Sequence, residues 1–195
     1  MQQIGAVPDI EILTGSLGPL PEPVIKPVLI VVSGLPGTGK SYFSRKLTER
    51  LSFLVLESDA LRKALFPVPS YGQEESTRLF QTLHRLIERL LKRGIPVILD
   101  ATNLSETHRE RLYHIADRVG ARLIVVRMEA PPELVRERLK ARQARPDTAD
   151  KSDADWNVYQ KMKPTVQAIR RQHYAVDTSR DIAPALDRIV REARR

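Results

Sequence analysis

The chain contains no cysteine. That excludes disulfides, thiolate nucleophiles and thiolate-held metals, and makes a reducing cytoplasm the expected setting. No apolar run approaches the roughly 18 residues of a membrane span. The N-terminus has neither the basic start nor the apolar stretch of a secretory leader. Internal repeats and low-complexity tracts are also missing. What is present is the composition of a soluble globular protein, 42% hydrophobic and 29% charged over 195 residues, the length of one domain with a proper core.

The most informative residues are Gly34-Leu35-Pro36-Gly37-Thr38-Gly39-Lys40-Ser41. They match the phosphate-loop pattern G-x-x-x-x-G-K-[ST] in full. In such a loop, glycines let backbone N–H groups converge on phosphate oxygens. Lys40 would then reach the β- and γ-phosphates, and the Ser41 hydroxyl would ligate Mg²⁺. The β-branched run 28–32 precedes the loop and a helical pattern follows it, placing a bound anion at a helix N-terminus. The reading is a nucleoside triphosphate site, with ATP and Mg²⁺ as ligands.

Five prolines and three glycines crowd residues 1–27, which suggests an arm, either extended and packed on the domain or loosely ordered, and not a second domain. Beyond it, strand-like runs at 28–33, 53–57, 96–100, 122–128 and, weaker, 173–177 alternate with helical patterns. The latter fall near 40–51, 60–66, 73–93, 105–119, 132–144, 153–171 and 184–194. This alternation predicts an α/β protein with a parallel sheet covered on both faces. Ligands then gather at the carboxyl ends of the strands.

Three strand ends carry ionisable groups. Asp59 follows the second, with Arg62 one turn on; Asp100 closes the third and precedes Thr102-Asn103. Phosphoryl transfer needs an oriented acceptor, a metal, cations and a carboxylate to take the acceptor's proton. Asp59 suits the carboxylate role, Arg62 a clamp on an acceptor phosphate, and Asp100 a hold on Mg²⁺. The competing readings are helix caps for both aspartates.

After the fourth strand, Arg136, Arg138, Lys140, Arg142 and Arg145 face only Glu137 across 136–145. Arg138, Arg142 and Arg145 share one helical face, which suits a lid over a triphosphate; a solvated face is the alternative. Overall the net charge is +8, with −2 in residues 1–27 and +10 in the remainder, which fits a polyanionic partner. His84, His108, His114 and His173 read as surface or packing residues. Ser152-Asp153-Ala154-Asp155 reads as a helix cap, with Trp156 and Tyr159 packing in the lid. Thr178 and Ser179 lie past the fifth strand, near an adenine by fold analogy.

The loop, Asp59-x-x-Arg62, Asp100-Ala-Thr-Asn103 and the lid arginines, in this order, resemble the P-loop kinases of the polynucleotide 5′-kinase-like and zeta-toxin-like AAA-domain group. The resemblance spans residues 28 to about 180. It implies a P-loop NTPase three-layer sandwich with strand order 2-3-1-4-5 and a helical lid (about 131–170). It further implies Asp59 as general base and Arg62 on an acceptor phosphate. Arg138 and Arg142 would grip the donor, and Asp100 and Asn103 would sit in the substrate site. No phosphatase signature or ligase segment accompanies these motifs. The acceptor expected from the resemblance is the 5′-hydroxyl of RNA or DNA. A nucleoside, sugar, sugar nucleotide or antibiotic is the alternative, and a non-catalytic nucleotide-binding regulator the third.

Overall fold

A computed structural model describes residues 8–144 and 152–195. Five strands, β1 (Val28–Ser33), β2 (Leu54–Glu57), β3 (Val97–Asp100), β4 (Arg122–Glu129) and β5 (Tyr174–Asp177), form one parallel sheet in the order β2-β3-β1-β4-β5. The helices are α1 (Asp9–Gly15), α2 (Lys40–Thr48), α3 (Ser58–Leu65), α4 (Gln73–Lys92), α5 (Glu106–Val119), α6 (Pro132–Ala144), α7 (Trp156–Met162) and α8 (Ala183–Ala193).

The two-residue side-chain period of a strand divides the core into two layers. Leu29 and Val31 of β1 join Leu56, Leu99 and the apolar faces of α4 and α5 on one side. Val28, Ile30 and Val32 join Phe43 and Leu47 of α2 and Ile189 of α8 on the other. Every β1 residue is buried, as befits a central strand covered on both faces. The expected sheet and strand order are therefore present. So is the long amphipathic helix ending before Gly94, whose φ of +77° few other residues tolerate.

Two expectations are corrected. The arm packs on the domain but is not wholly extended: α1 forms after Pro8 and sinks Leu13 completely into the α4 layer. Asp9 and Glu11 pair with Arg78 and Arg89 of α4. Seven residues are too few for helical periodicity to show against five prolines.

The helix expected over 153–171 is instead α7 followed by one 3₁₀ turn, Lys163–Thr165. Pro164 lacks the N–H that would continue the α-helical ladder. Beyond it, the buried Arg109 of α5 takes the carbonyls of Gln167 and Ala168 at 2.7 and 2.9 Å. The Gln167 N–H donates to Leu104 O. Gln167, Ala168 and Arg170 thus spend backbone polar groups on α5 and its preceding loop.

Candidate active site

The phosphate loop crosses from β1 to α2 at the carboxyl edge of the sheet. Gly39 is the N-cap of α2 with φ +88°, and Gly37 has φ +78°. A Cβ on Gly37 would stand 2.9 Å from Val135 of α6, so left-handed backbone and close packing both require glycine. Thr38 is buried and its hydroxyl donates to Leu35 O at 2.7 Å, tying the loop to itself. The Lys40 ammonium lies across the loop, 3.1 Å from Leu35 O. The first turn of α2 holds no acid, leaving the positive end of its dipole for an anion.

Beside the loop opens a cavity of about 1290 Å³. Lys40, Ser41, Asp59, Asp100, Arg138 and Arg142 all line it, together with Arg62. The structure therefore brings together the residues expected from four separate strand ends. Asp59 lies in the first turn of α3, whose N-cap position is Glu57 and has no side-chain cap bond. Capping α3 is thus not its task, and its half-buried carboxylate faces the cavity. Asp100, 5% exposed, closes β3 next to the loop strand β1, in register with Val32.

Two expected site residues differ from the simple picture. The amide of Asn103 turns into the fold: it is buried at φ +46° and donates to Val32 O at 2.9 Å. Its own carbonyl accepts from Ser33 Oγ and from Arg109. Asn103 does not line the cavity but stitches the β3–α5 loop to β1. A short amide with left-handed backbone suits that turn, so its place in the motif reflects architecture. Arg62 is only 7% exposed, and its guanidinium is engaged by Glu75 of α4 at 2.6 Å and Ser76 Oγ at 3.3 Å. Arg145 falls outside the described residues.

Glu75 was not foreseen. Burial pushes its carboxyl up, but hydrogen bonds from Arg62 and from the N–H and hydroxyl of Ser70 outweigh this and hold it near 2. Tyr71, left-handed at φ +56°, sits with its ring 5.2 Å from the Arg62 guanidinium. Its hydroxyl donates at 2.6 Å to Asp153. Burial and that carboxylate push the phenol up. Lys63 of α3 pairs with Asp153 at 3.0 Å. The segment leading into α7 is thereby joined to α3 and to the turn before α4. No sequence signal marks the Arg62–Glu75, Tyr71–Asp153 and Lys63–Asp153 pairs, because these contacts span 13 to 90 residues of chain.

From α6, Arg138 donates to Thr178 Oγ1 at 2.7 Å, Thr178 O at 2.9 Å and Gly37 O at 3.3 Å. Arg142 donates to Ala154 O at 2.6 Å. Val135 and Leu139 of α6 are buried with Tyr159, which stacks on Trp156 with ring centroids 4.8 Å apart. Asp155 caps α7 through Val158 N at 2.9 Å, as the sequence suggests. A smaller cavity of about 430 Å³ lies under residues 166–169, and none of Lys40, Asp59 and Asp100 lines it.

The sequence profile of the AAA domain family matches residues 29–169. The chain belongs to that family. An L-seryl-tRNA(Sec) kinase of Methanococcus maripaludis is 30% identical over 116 residues, 57% of this chain and 44% of that protein. The chain therefore spans less than half of this relative's length. Among solved structures, APE1195 superposes with a TM-score of 0.70 at 17% identity, over 89% of this chain and 98% of that one. A gluconokinase from Sinorhizobium meliloti gives 0.58 at 24% identity, over 86% and 89%. The three-layer sandwich with its 2-3-1-4-5 sheet is thus that of P-loop kinase-fold proteins.

The residues present fit a magnesium nucleotide. No group of three or more His, Cys, Asp or Glu forms a metal cage among the described residues. One hydroxyl and one carboxylate, Ser41 and Asp100, stand beside the loop instead, the sparse protein donor set that Mg²⁺ accepts when phosphate oxygens and water complete its shell. Among the same residues no helix is long and apolar enough to cross a membrane.

Proposed function

We propose that this chain is an ATP-dependent phosphotransferase acting on the hydroxyl of a small molecule. The observation that carries the reading is the shared cavity: loop lysine, Asp59, Asp100 and two lid arginines line one space. The loop from Gly34 to Ser41 would cradle the donor phosphates, with Arg138 and Arg142 against the charge of the transferring group. Mg²⁺, held by Ser41 and Asp100, would neutralise phosphate charge. The acceptor oxygen attacks the γ-phosphorus as its proton passes to the Asp59 carboxylate. The bond from that phosphorus to the bridging oxygen breaks, and ADP keeps the electron pair.

A compact acceptor is favoured by two features. Arg62, the expected grip on a nucleic-acid phosphate, is engaged by Glu75. The Asp153 contacts to Tyr71 and Lys63 draw the lid side onto the acceptor side. A second reading, the terminal hydroxyl of RNA or DNA, is favoured by the net +10 outside the arm and by the tRNA-directed relative.

The test is acceptor-dependent ADP release by the full chain and by Lys40→Ala across a panel of alcohols and 5′-OH oligonucleotides. Release that requires Lys40 supports phosphotransfer. Nucleotide binding with no release for any acceptor leaves a regulator. Strong salt dependence of the acceptor KM would favour a polymer.

A further inference from the structure

Two neighbouring residues before α7 tie opposite sides of the large cavity together. Asp153 and Ala154 line that cavity, as do Tyr71 and Arg142. From the turn before α4, the Tyr71 hydroxyl donates to Asp153 Oδ2 at 2.6 Å. From α6, Arg142 Nη2 donates to Ala154 O at 2.6 Å. The two bonds fall on adjacent residues, so a shift of Asp153 carries the Ala154 carbonyl with it, and the guanidinium bonded there.

Tyr71 is itself held in place. Its backbone is left-handed at φ +56°, a conformation an aromatic residue keeps only where its surroundings impose it. Glu75 supplies the constraint. One of its carboxylate oxygens accepts from the Tyr71 N–H at 3.3 Å, the other from the N–H and hydroxyl of Ser70 at 2.7 and 2.9 Å. Arg62 fixes Glu75 in turn at 2.6 Å, with its guanidinium 5.2 Å from the Tyr71 ring. Burial, then the carboxylates of Asp153 and Asp59, push the phenol up, so Tyr71 stands within the field of the candidate base. Lys63 adds an ion pair to Asp153, but those side chains are 37% and 58% exposed, and such pairs contribute little. The bond from hydroxyl to carboxylate is the stronger tie.

On the phosphotransfer reading above, we infer that Tyr71 is a positioning residue: through Asp153 and the Ala154 carbonyl it orients Arg142 toward the transferring phosphoryl group. The same tie holds the segment before α7 against the wall that carries Asp59. Without the hydroxyl, Arg142 loses its fixed carbonyl and water competes better for the γ-phosphoryl group. In that competing reaction a water oxygen bonds to the γ-phosphorus, the bond to the bridging oxygen breaks, and ADP, inorganic phosphate and a proton leave.

The experiment follows γ-labelled ATP with a working acceptor, measuring labelled product and inorganic phosphate together. It uses the full chain, Tyr71→Phe, Asp153→Asn and the two combined. Tyr71→Phe keeps the ring beside Arg62 and removes only the hydroxyl. The expected result is a kcat for transfer about tenfold lower, the worth of one hydrogen bond to a charged group, and a ratio of phosphate to labelled product at least about threefold higher. Because both residues serve one bond, the combined variant should lose no more than Asp153→Asn alone. In an Arg142→Met chain, Tyr71→Phe should no longer lower kcat, since its effect runs through that guanidinium. A native rate and product ratio in Tyr71→Phe, losses that multiply in the combined variant, or an undiminished effect in Arg142→Met overturns this inference and leaves phosphotransfer standing. No labelled product from the native chain with any acceptor overturns the phosphotransfer reading itself, and this inference with it. Should Asp153→Asn fail to fold, Tyr71→Phe in the native and Arg142→Met chains decides.

Discussion

Arg138 donates to both the hydroxyl and the carbonyl of Thr178, joining the lid helix α6 to the turn after β5. Thr178 Oγ1 also lies 3.0 Å from Thr38 O of the phosphate loop. A Cβ on Gly39 would approach Thr178 Cγ2 to 3.2 Å. Lid, loop and last strand therefore meet at one threonine. Arg138, which the proposed function sets against developing phosphate charge, is thus held beside the loop.

That meeting point separates two substitutions. Arg138→Met removes a cation from the donor side and should lower kcat by about 10²–10³, the size of one lost transition-state donor. Thr178→Val removes only the hydroxyl that orients it and should cost about fivefold, the worth of one hydrogen bond. Thr178→Ser should recover most of that loss. Steady-state rates with Mg-ATP and a working acceptor make the comparison.

Asp59→Ala should lower kcat by about 10²–10⁴ if the carboxylate takes the acceptor's proton. ATP affinity should change little, because the proposed function sets Asp59 against the acceptor and not the phosphate loop. Equilibrium nucleotide binding measured beside the rate separates the two effects. A nearly intact rate removes Asp59 from the role.

Arg109 carries a structural prediction away from the chemistry. It is 1% exposed, pairs with Glu106 at 2.7 Å, and donates to the carbonyls of Asn103, Gln167 and Ala168. Arg109→Leu would strand the buried Glu106 carboxylate and should destabilise the fold by about 3–5 kcal/mol. Urea unfolding measures this. Adding Glu106→Gln to the same chain should restore part of the loss.

His84 gives the stability a pH dependence. Burial pushes its imidazole down to about 4, with Arg111 and His108 adding to the effect. Between the ordinary value near 6.5 and 4, the unfolded chain binds the extra proton and the native state does not. Stability is therefore full above about pH 6.5 and falls as the pH drops toward 4, by about 2–3 kcal/mol from this residue. In His84→Gln, the slope of unfolding free energy over that window should flatten.

The sheet was readable because its signals are local. β1 is an unbroken β-branched run feeding a phosphate loop, and α4 shows its apolar stripe over 20 residues. Asp59, Asp100 and Arg138 could be expected to share one cavity because a parallel sheet brings its strand ends to one edge. What escaped the sequence depends on contacts between distant segments. Arg62 reads as an unengaged clamp until Glu75 arrives from the next helix. Asn103 reads as a substrate ligand until its amide is seen on Val32 O. The strap over 166–173 reads as helix until Arg109 claims its carbonyls. Helix α1 is stabilised by sinking Leu13 into the core, a tertiary effect that seven residues cannot announce.

The central claim is that Asp59 and the phosphate loop act on one transferring group. Its most direct measurement is a single turnover with γ-labelled ATP and a working acceptor, comparing the native chain with Asp59→Asn. The account predicts that label becomes covalently attached to the acceptor hydroxyl in the native chain and that Asp59→Asn slows this at least about a hundredfold. Label appearing only as inorganic phosphate, at a rate indifferent to both acceptor and Asp59, would contradict it.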